Sequence, residues 1–269
     1  MKIHTWDGNP PGPQLLSYAQ DLLQGKDFPE AELIRQRKSR IYRVVLEQGV
    51  PVYFKHYCGT RPKEWVKRCV RSPVRNIKLW RKLRHQEIPS PKPLLVVQSL
   101  TQSVLVTSEA QEMTLQDRIQ ERGLPDREIM GNMGRSWGRM HREGLMHYDP
   151  DPRNILIPEE NSATFGVLDL DSLYLVPWFP AWLRRKHLTR VLWRLSRKCI
   201  RICHAAPGPE EFMAFWDQYQ AAAGALPIKH GLILCSKLER RSKEASHSQT
   251  LADAARNWRR ELEQTISAG

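Results

Sequence analysis

The sequence predicts an α+β protein in two lobes. The first, residues 1–109, is a small N-terminal lobe with an antiparallel sheet and one helix; the second, residues 110–269, is larger and mainly helical. Two observations carry this reading. β-Branched and aromatic runs punctuated by glycine and proline fall mostly before residue 110, whereas apolar residues at helical spacing dominate after it. A chain of 269 residues, 41% of them hydrophobic, can also bury a substantial core.

In the first lobe, RIYRVVLEQ (residues 40–48) and VPVYFKHY (50–57) are separated by Gly49 and read as a hairpin whose second strand carries Lys55. A helix is expected from about Pro73 to His85. Pro89, Pro91 and Pro93 then exclude helix and lead into a strand, and SVLVTSE (103–109) supplies another. In the second lobe Thr114 is the expected N-cap of a helix ending at Gly123. Residues 126–144 place Ile129, Met133, Trp137 and Met140 at helical spacing, as core positions. NILI (154–157) and FGVLDL (165–170) are short enough to form a small hairpin. Helices near 180–204, 208–223 and 248–266 complete the chain. In the first of these Leu188, Val191, Leu192 and Leu195 recur at helical intervals, while Arg184, Arg185, Arg190, Arg194, Arg197 and Arg201 take the remaining faces. There is no internal repeat, and residues 10–13 are the one proline-rich tract.

Charge is the strongest compositional anomaly. The formal net charge is +13; residues 61–84 contain a single acid, Glu64, and residues 182–203 contain none. Such stripes attract polyanions: nucleic acid, anionic lipid headgroups or phosphorylated saccharide. Trp65, Trp80, Trp178, Trp182 and Trp193 fall in or beside them, as core or interfacial residues. No apolar run reaches the roughly 18 residues of a membrane span, and the N-terminus lacks the apolar core of a signal peptide, so a cytoplasmic location is expected. The five cysteines, Cys58, Cys69, Cys199, Cys203 and Cys235, form no C-x-x-C pair and read as reduced packing residues.

The chemistry concentrates in GLMHYDPDPRNILI (144–157) and TFGVLDLDSLYLV (164–176). Carboxylates beside apolar strands are costly to bury unless a cation or hydrogen bonds balance them. Magnesium suits hard oxygen ligands of this kind. The order His147-x-Asp149, then Asn154, then Asp169 is that of a kinase-like catalytic loop followed by a metal-binding aspartate. In that arrangement the loop Asp sits beside the acceptor hydroxyl, and the Asn and the later Asp hold metal bridging the nucleotide phosphates. Lys55 falls where such folds keep the lysine that contacts those phosphates. Taken singly, each residue has a plainer reading: Asp149-Pro150 and Asp151-Pro152 as turn dipeptides, His147 as a core histidine, Lys55 as a surface lysine. The joint order favours the kinase-like one.

MGRSWGRMHREGLMHYDPDPRNILI with FGVLDLDSLYLV resembles the superfamily of aminoglycoside phosphotransferases and lipopolysaccharide core kinases. VYFKHY and RSPVRNIKLWRKLRHQEIPSPKPLLVV are similar to the lipopolysaccharide kinases that phosphorylate heptose or 3-deoxy-octulosonic acid of the inner core. The resemblance covers residues from about 34 to 220 and implies a two-lobed protein-kinase-like fold using ATP and Mg2+. By position it implies that Asp149 orients and deprotonates a sugar hydroxyl, that Asn154 and Asp169 ligate magnesium, and that Lys55 contacts the α and β phosphates. It further implies that the backbone around Ser108 and Glu109 meets the adenine, that His147 braces the loop, and that Asp171 either assists the metal or caps the following turn. The implied acceptor is a lipid-linked lipopolysaccharide core. The basic helices would then hold the enzyme on the anionic inner face of the cytoplasmic membrane, and nucleic acid is not an expected partner.

The sequence also departs from the family pattern. No glycine-rich loop precedes the first strand, so phosphate cover falls to Ser39, backbone amides and Lys38 or Arg40. No glutamate is well placed to pair with Lys55, since Glu64 is early and Glu87 late. Asp151 puts a second negative charge beside the acceptor. Three alternatives stay open: a small-molecule kinase for an aminoglycoside, choline or sugar; a pseudokinase; and a non-catalytic module that binds a membrane or polyanion.

Overall fold

The computed structural model describes residues 1–26, 31–36, 39–57, 73–157, 164–242 and 248–268. Lys38, Cys58, Glu64, Trp65, Cys69 and the first half of the 61–84 basic stripe lie outside the described residues. The chain divides into two compact units, Met1–Lys82 with Ser90–Gln111, and Leu83–Pro89 with Glu112–Gly269.

The first unit contains β1 (Lys2–Thr5), α1 (Pro13–Leu23), β2 (Glu32–Gln36), β3 (Arg40–Val45) and β4 (Pro51–Tyr57), followed by all but the last three residues of α2 (Val74–His85), then β5 (Pro93–Gln98) and β6 (Ser103–Ser108). Its strands form one antiparallel sheet of six in the order β1-β5-β6-β4-β3-β2. The β3–β4 hairpin turns where Leu46 N–H donates to Val50 C=O at 3.0 Å. Gly49 takes the left-handed φ of 74° that this turn requires. Strand alternation then sorts β4: Val52, Phe54 and His56 are buried on one face, which sends Tyr53, Lys55 and Tyr57 to the other. Val52 and Phe54 pack with Tyr42, Val44, Val104 and Val106 against Ala19 and Leu22 of α1. A second cluster joins Ile77 of α2 to Val96 and Leu105, with Tyr57 packed against it.

Three elements here go beyond the sequence reading. The residue 10–13 tract runs into α1, whose Pro13 occupies the first turn, where its missing N–H costs nothing. β1 and β2 are the outer strands of the sheet, and β2 is exposed along its whole length, so no apolar alternation marks it.

The second unit contains β7 (Met113–Thr114), α3 (Leu115–Arg122), α4 (Arg127–Arg142), β8 (Leu145–His147), β9 (Ile155–Ile157), β10 (Gly166–Val167) and β11 (Leu173–Leu175). Four long helices follow: α5 (Ala181–Cys203), α6 (Pro209–Ala223), α7 (Lys229–Ser242) and α8 (Ser248–Ala268). Thr114 caps α3 by accepting from Asp117 N–H at 3.2 Å, and Asp126 caps α4 by accepting from Ile129 N–H at 2.8 Å. The buried stripe of α4 is Met130, Met133, Trp137 and Met140; Ile129 is only half-buried, so the apolar face begins one residue later than its spacing suggested. Gly134 and Gly138 let α4 approach α6 closely. A Cβ on Gly134 would stand 2.1 Å from Phe215 O, and one on Gly138 would stand 2.6 Å from Ala222 Cβ. The C-terminal helices belong to the same unit. Trp258 of α8 is fully buried, stacks on Phe212 of α6 at 4.6 Å and donates to Gly208 C=O at 3.0 Å. No helix among the described residues is long and apolar enough to cross a membrane.

The arginines of α5 do not all fill a solvent face, as the sequence suggested. Arg184 donates to Phe179 C=O at 3.1 Å and to Ala223 C=O at 3.0 Å, tying the start of α5 to the end of α6. Arg190 and Arg194 reach the loop that follows β8.

Candidate active site

The loop is anchored before its functional residues begin. β8 pairs antiparallel with β11, setting His147 opposite Leu173. The next amide, Tyr148 N–H, donates to Ser172 C=O at 2.6 Å, and Arg190 donates to Tyr148 C=O at 3.0 Å while lying over its ring. Sequence then dictates the turn. Asp151 N–H donates to Asp149 C=O at 2.8 Å across Pro150, whose fixed φ suits the centre of such a three-residue turn. Asp151 also caps the 3-10 turn Pro152–Asn154. Asn154 Nδ2 donates back to Asp149 C=O at 3.0 Å, and Leu168 N–H donates to Asn154 C=O at 2.9 Å. Asn154 is therefore tied on one side to Asp149 and on the other to the residue before Asp169.

Asp169 adopts the left-handed conformation, φ 55° and ψ 64°, uncommon for any residue but glycine and tolerated best by Asn and Asp. Ser172 holds it there, donating through Oγ to Asp169 Oδ2 at 2.8 Å and through its amide to Asp169 C=O at 2.8 Å. Asp171 lies in the single 3-10 turn that follows, Leu170–Ser172. The β9–β10 pairing, Gly166 opposite Leu156 and Val167 opposite Ile155, brings the Asn154 and Asp169 segments side by side. The residue opposite Leu156 must be glycine, because a Cβ there would lie 2.5 Å from Pro89 O.

Four residues form a buried chain beneath the loop. His187 Nε2 lies 2.7 Å from His147 C=O, which can only accept, so Nε2 carries the proton and Nδ1 accepts. His141 Nε2, 2.7 Å from that Nδ1, must then donate, which leaves His141 Nδ1 to accept from the Tyr219 hydroxyl at 2.8 Å. The direction of every bond is fixed, and every imidazole in it is neutral. His147 is fully buried and donates from Nε2 to Leu168 C=O at 2.9 Å, holding the peptide that leads into Asp169. Burial pushes all three histidines below their usual range: His187 to about 3, His141 well down with help from His187 and Arg184, and His147 less, because Leu168, Asp169 and Asp149 favour its charged form.

Asp151 is not a bare charge beside an acceptor, which corrects the sequence reading. Arg153 Nε donates to its Oδ1 at 2.9 Å, and Arg194 Nη1 reaches its Oδ2 at 3.2 Å. Burial raises the proton affinity of Asp151, but the hydrogen bonds and charge of Arg153 outweigh it and hold the carboxyl below the usual range. The same Arg194 places Nη2 3.0 Å from Asp149 Oδ1. Lys198, one turn further along α5, interacts electrostatically with Asp151, Arg153 and Arg201, and burial lowers its proton affinity. Arg194 was read from the sequence as one arginine of a stripe; nothing local marks it, because its partners lie over forty residues upstream.

The remaining sequence-selected residues belong to the first unit. Lys55 lies on β4 opposite Ile41 and Leu105, with Nζ 5.6 Å from the centre of the Tyr57 ring. Ser39 stands just before β3. Ser108 is committed to Lys92 through both its amide and its hydroxyl, each at 2.9 Å, so its N–H cannot also read a base. The Glu109 carboxylate accepts from Arg43 at 3.1 Å and Tyr53 at 3.0 Å, fastening the end of β6 to β3 and β4. Along α2 there is no acidic residue.

As a metal site, the loop offers oxygen and little else. With Nδ2 of Asn154 bound to Asp149 C=O, the orientation of its amide is fixed and the oxygen is the end left to a ligand. Asn154 and Asp169 each offer hard oxygen, of the kind magnesium takes. No group of three or more His, Cys, Asp or Glu side chains arranged to hold a metal occurs among the described residues. That donor set fits a magnesium ion that completes its shell with phosphate oxygens and water, and does not fit zinc.

The sequence profile of the lipopolysaccharide kinase (Kdo/WaaP) family matches residues 24–201. No curated protein sequence matches the chain. Among solved structures, amicoumacin kinase hAmiN, in complex with AMP-PNP, Ca2+ and Ami, is similar with a TM-score of 0.58 at 12% identity, over 94% of this chain and 96% of that one. At that identity the likeness is one of fold. WbdD in complex with the kinase inhibitor LY294002 gives a TM-score of 0.46 at 16% identity, over 76% of this chain and 49% of that one.

Proposed function

This chain belongs to the lipopolysaccharide kinase (Kdo/WaaP) family and is a phosphotransferase, and we propose that it transfers the γ-phosphoryl group of ATP to a hydroxyl of a lipopolysaccharide inner-core sugar, heptose or 3-deoxy-octulosonic acid. The observation that carries the proposal is the hydrogen-bonded frame in which Asn154 is fixed to Asp149 on one side and to the approach to Asp169 on the other. In this reading Asp149 accepts the hydroxyl proton as the acceptor oxygen bonds to the γ-phosphorus, and the bond from that phosphorus to the β–γ bridging oxygen breaks, releasing ADP. Asn154 and Asp169 would hold magnesium, with Asp171 beside them; when bound, the ion neutralises charge on the phosphate oxygens. Lys55 is the proposed contact for the α and β phosphates and Ser39 part of their cover. With the Ser108 amide spent on Lys92, the base contact moves to the backbone from Glu109 onward.

An anionic, lipid-linked acceptor is supported by charge and by exposed aromatic surface. Around Asp149 and Asp151 stand Arg153, Arg194 and Lys198, more cation than the two carboxylates neutralise. At the start of α5, Trp178 and Trp182 are 77% and 54% exposed, next to exposed Leu175, Pro177 and Lys186. Aromatic side chains with a neighbouring cation suit the interfacial layer of an anionic membrane. The test is direct: purified protein is incubated with ATP, Mg2+ and dephosphorylated inner-core saccharide, and the products are read by mass spectrometry. A gain of one phosphate on the saccharide supports the proposal. ATP consumption only with an aminoglycoside or other small cationic acceptor refutes it.

A further inference from the structure

Resting on the phosphotransferase reading, we propose that Arg194 is the positioning residue for Asp149 and that Asp151 is the support that holds Arg194 in place. In an extended strand, side chains two residues apart lie on the same face but about 6.6 Å apart along the chain. Here the turn across Pro150 brings both carboxylates to one guanidinium, which spans Asp149 Oδ1 at 3.0 Å and Asp151 Oδ2 at 3.2 Å. Asp151 is itself fixed, by capping the Pro152–Asn154 turn and by the return bond from Arg153 Nε at 2.9 Å. The contact to Asp149 Oδ1 is an ion pair without hydrogen-bond alignment, whereas Arg194 hydrogen-bonds Asp151; Asp149 Oδ2 is paired with none of the described residues, so the clamp faces one oxygen and leaves the other for the acceptor hydroxyl.

Arginine is the side chain this task requires. Its planar fork can hydrogen-bond Asp151 through one nitrogen and pair with the charge of Asp149 through another, whereas a lysine ammonium is a single point charge on a flexible stem. The support matters because Arg194 projects from a partly solvated helix face. Without Asp151 its long side chain would regain its rotamer freedom, and Asp149 would lose a fixed χ1. The alternating Asp-Pro-Asp-Pro thereby gains a purpose: the first aspartate acts, the second anchors the arginine that aims it, and the prolines set the backbone between them.

The test combines kinetics with a readout independent of turnover. Arg194→Gln and Asp151→Asn should lower kcat roughly 10–100-fold, the scale for misplacing a reacting group, with the KM for ATP nearly unchanged. Arg194→Lys, which keeps the charge and folds more readily, should still be impaired because it cannot span both carboxylates. Methylguanidinium should restore part of the kcat of Arg194→Ala but none of that of Asp149→Ala. Arginine side-chain 15N spectra should show hindered rotation of the Arg194 guanidinium in the wild type and its loss in Asp151→Asn. Full activity in Arg194→Gln overturns the proposal. A rise in kcat in that variant does so too, since it would make the contact an inhibitory lock. A freely rotating Arg194 in the wild type removes the clamp whatever the activity. If the wild type phosphorylates no saccharide yet the spectrum shows the clamp, the functional reading has failed and the structural one has not.

Discussion

Lowering the pH from 7 to 5 should destabilise the second unit through the imidazole chain beneath the loop. His187 is fully buried, donates to a carbonyl on one side and accepts from His141 on the other, and is held at about 3 by burial, against 6.5 for a free histidine. Protonating its Nδ1 would set two donors against each other at 2.7 Å. Because the folded value lies below the unfolded one, the unfolded chain takes up the proton first. The stability is whole above about pH 6.5 and is lost progressively as pH falls toward 3. At about 1.4 kcal/mol per unit, His187 alone accounts for about 2 kcal/mol at pH 5. His141 and His147, both depressed, act in the same direction. The depressed carboxyl of Asp151 titrates below its ordinary 3.8 and contributes nothing in this interval. Urea unfolding at pH 5, 6 and 7, for the wild type and His187→Gln, measures the slope of stability against pH. The variant should show a shallower slope by up to one proton. A wild-type stability that stays level from pH 7 to 5, or a slope that the substitution leaves untouched, would refute this reasoning.

Other outcomes follow from the same geometry. Tyr219→Phe removes the donor at the head of the chain and leaves His141 Nδ1 buried without one, which should cost about 1–3 kcal/mol by chemical denaturation; a neutral result would mean the hydroxyl does not serve His141. Gly134→Ala puts a methyl group against the Phe215 carbonyl, and since backbone cannot step aside as a flexible side chain can, a loss of about 1–3 kcal/mol is expected in thermal unfolding. Replacing Trp178 and Trp182 together by Ala should weaken sedimentation with anionic liposomes by roughly tenfold, at about 0.7 kcal/mol for each partly inserted ring. Unchanged binding would show that this surface serves something other than a membrane. Arg184 is a poor choice for that experiment, because its guanidinium is spent on two carbonyls inside the unit.

What could be read from the sequence was whatever has a local cause. Gly49 between two β-branched runs gives the β3–β4 hairpin, Thr114 and Gly123 bound α3, and apolar spacing marks α4 to within two residues at either end. The order of His147, Asp149, Asn154 and Asp169 is visible because all four fall within residues 147–169. Elements without a local signature were missed. β2 is an exposed edge strand with no alternation, α1 hides behind a proline-rich tract, and α7 interrupts its apolar face with Gly231. The contacts that organise the loop from outside were invisible for a different reason. Arg194 meets Asp149 and Asp151, and His187 meets His147, only because α5 packs beside β8, and no spacing rule spans forty residues of intervening chain. Charge pattern alone puts Arg184, Arg190 and Arg194 together as one stripe, although each holds a different segment of the second unit.

The most direct measurement is the phosphate content of the lipopolysaccharide core, by mass spectrometry, from cells carrying the wild-type protein, the Asp149→Asn variant at equal abundance, or no copy. The wild-type core should carry one phosphate that is missing from both of the others. A core that keeps this phosphate with Asp149→Asn, or is identical in all three, would contradict the assignment of phosphoryl transfer to this loop.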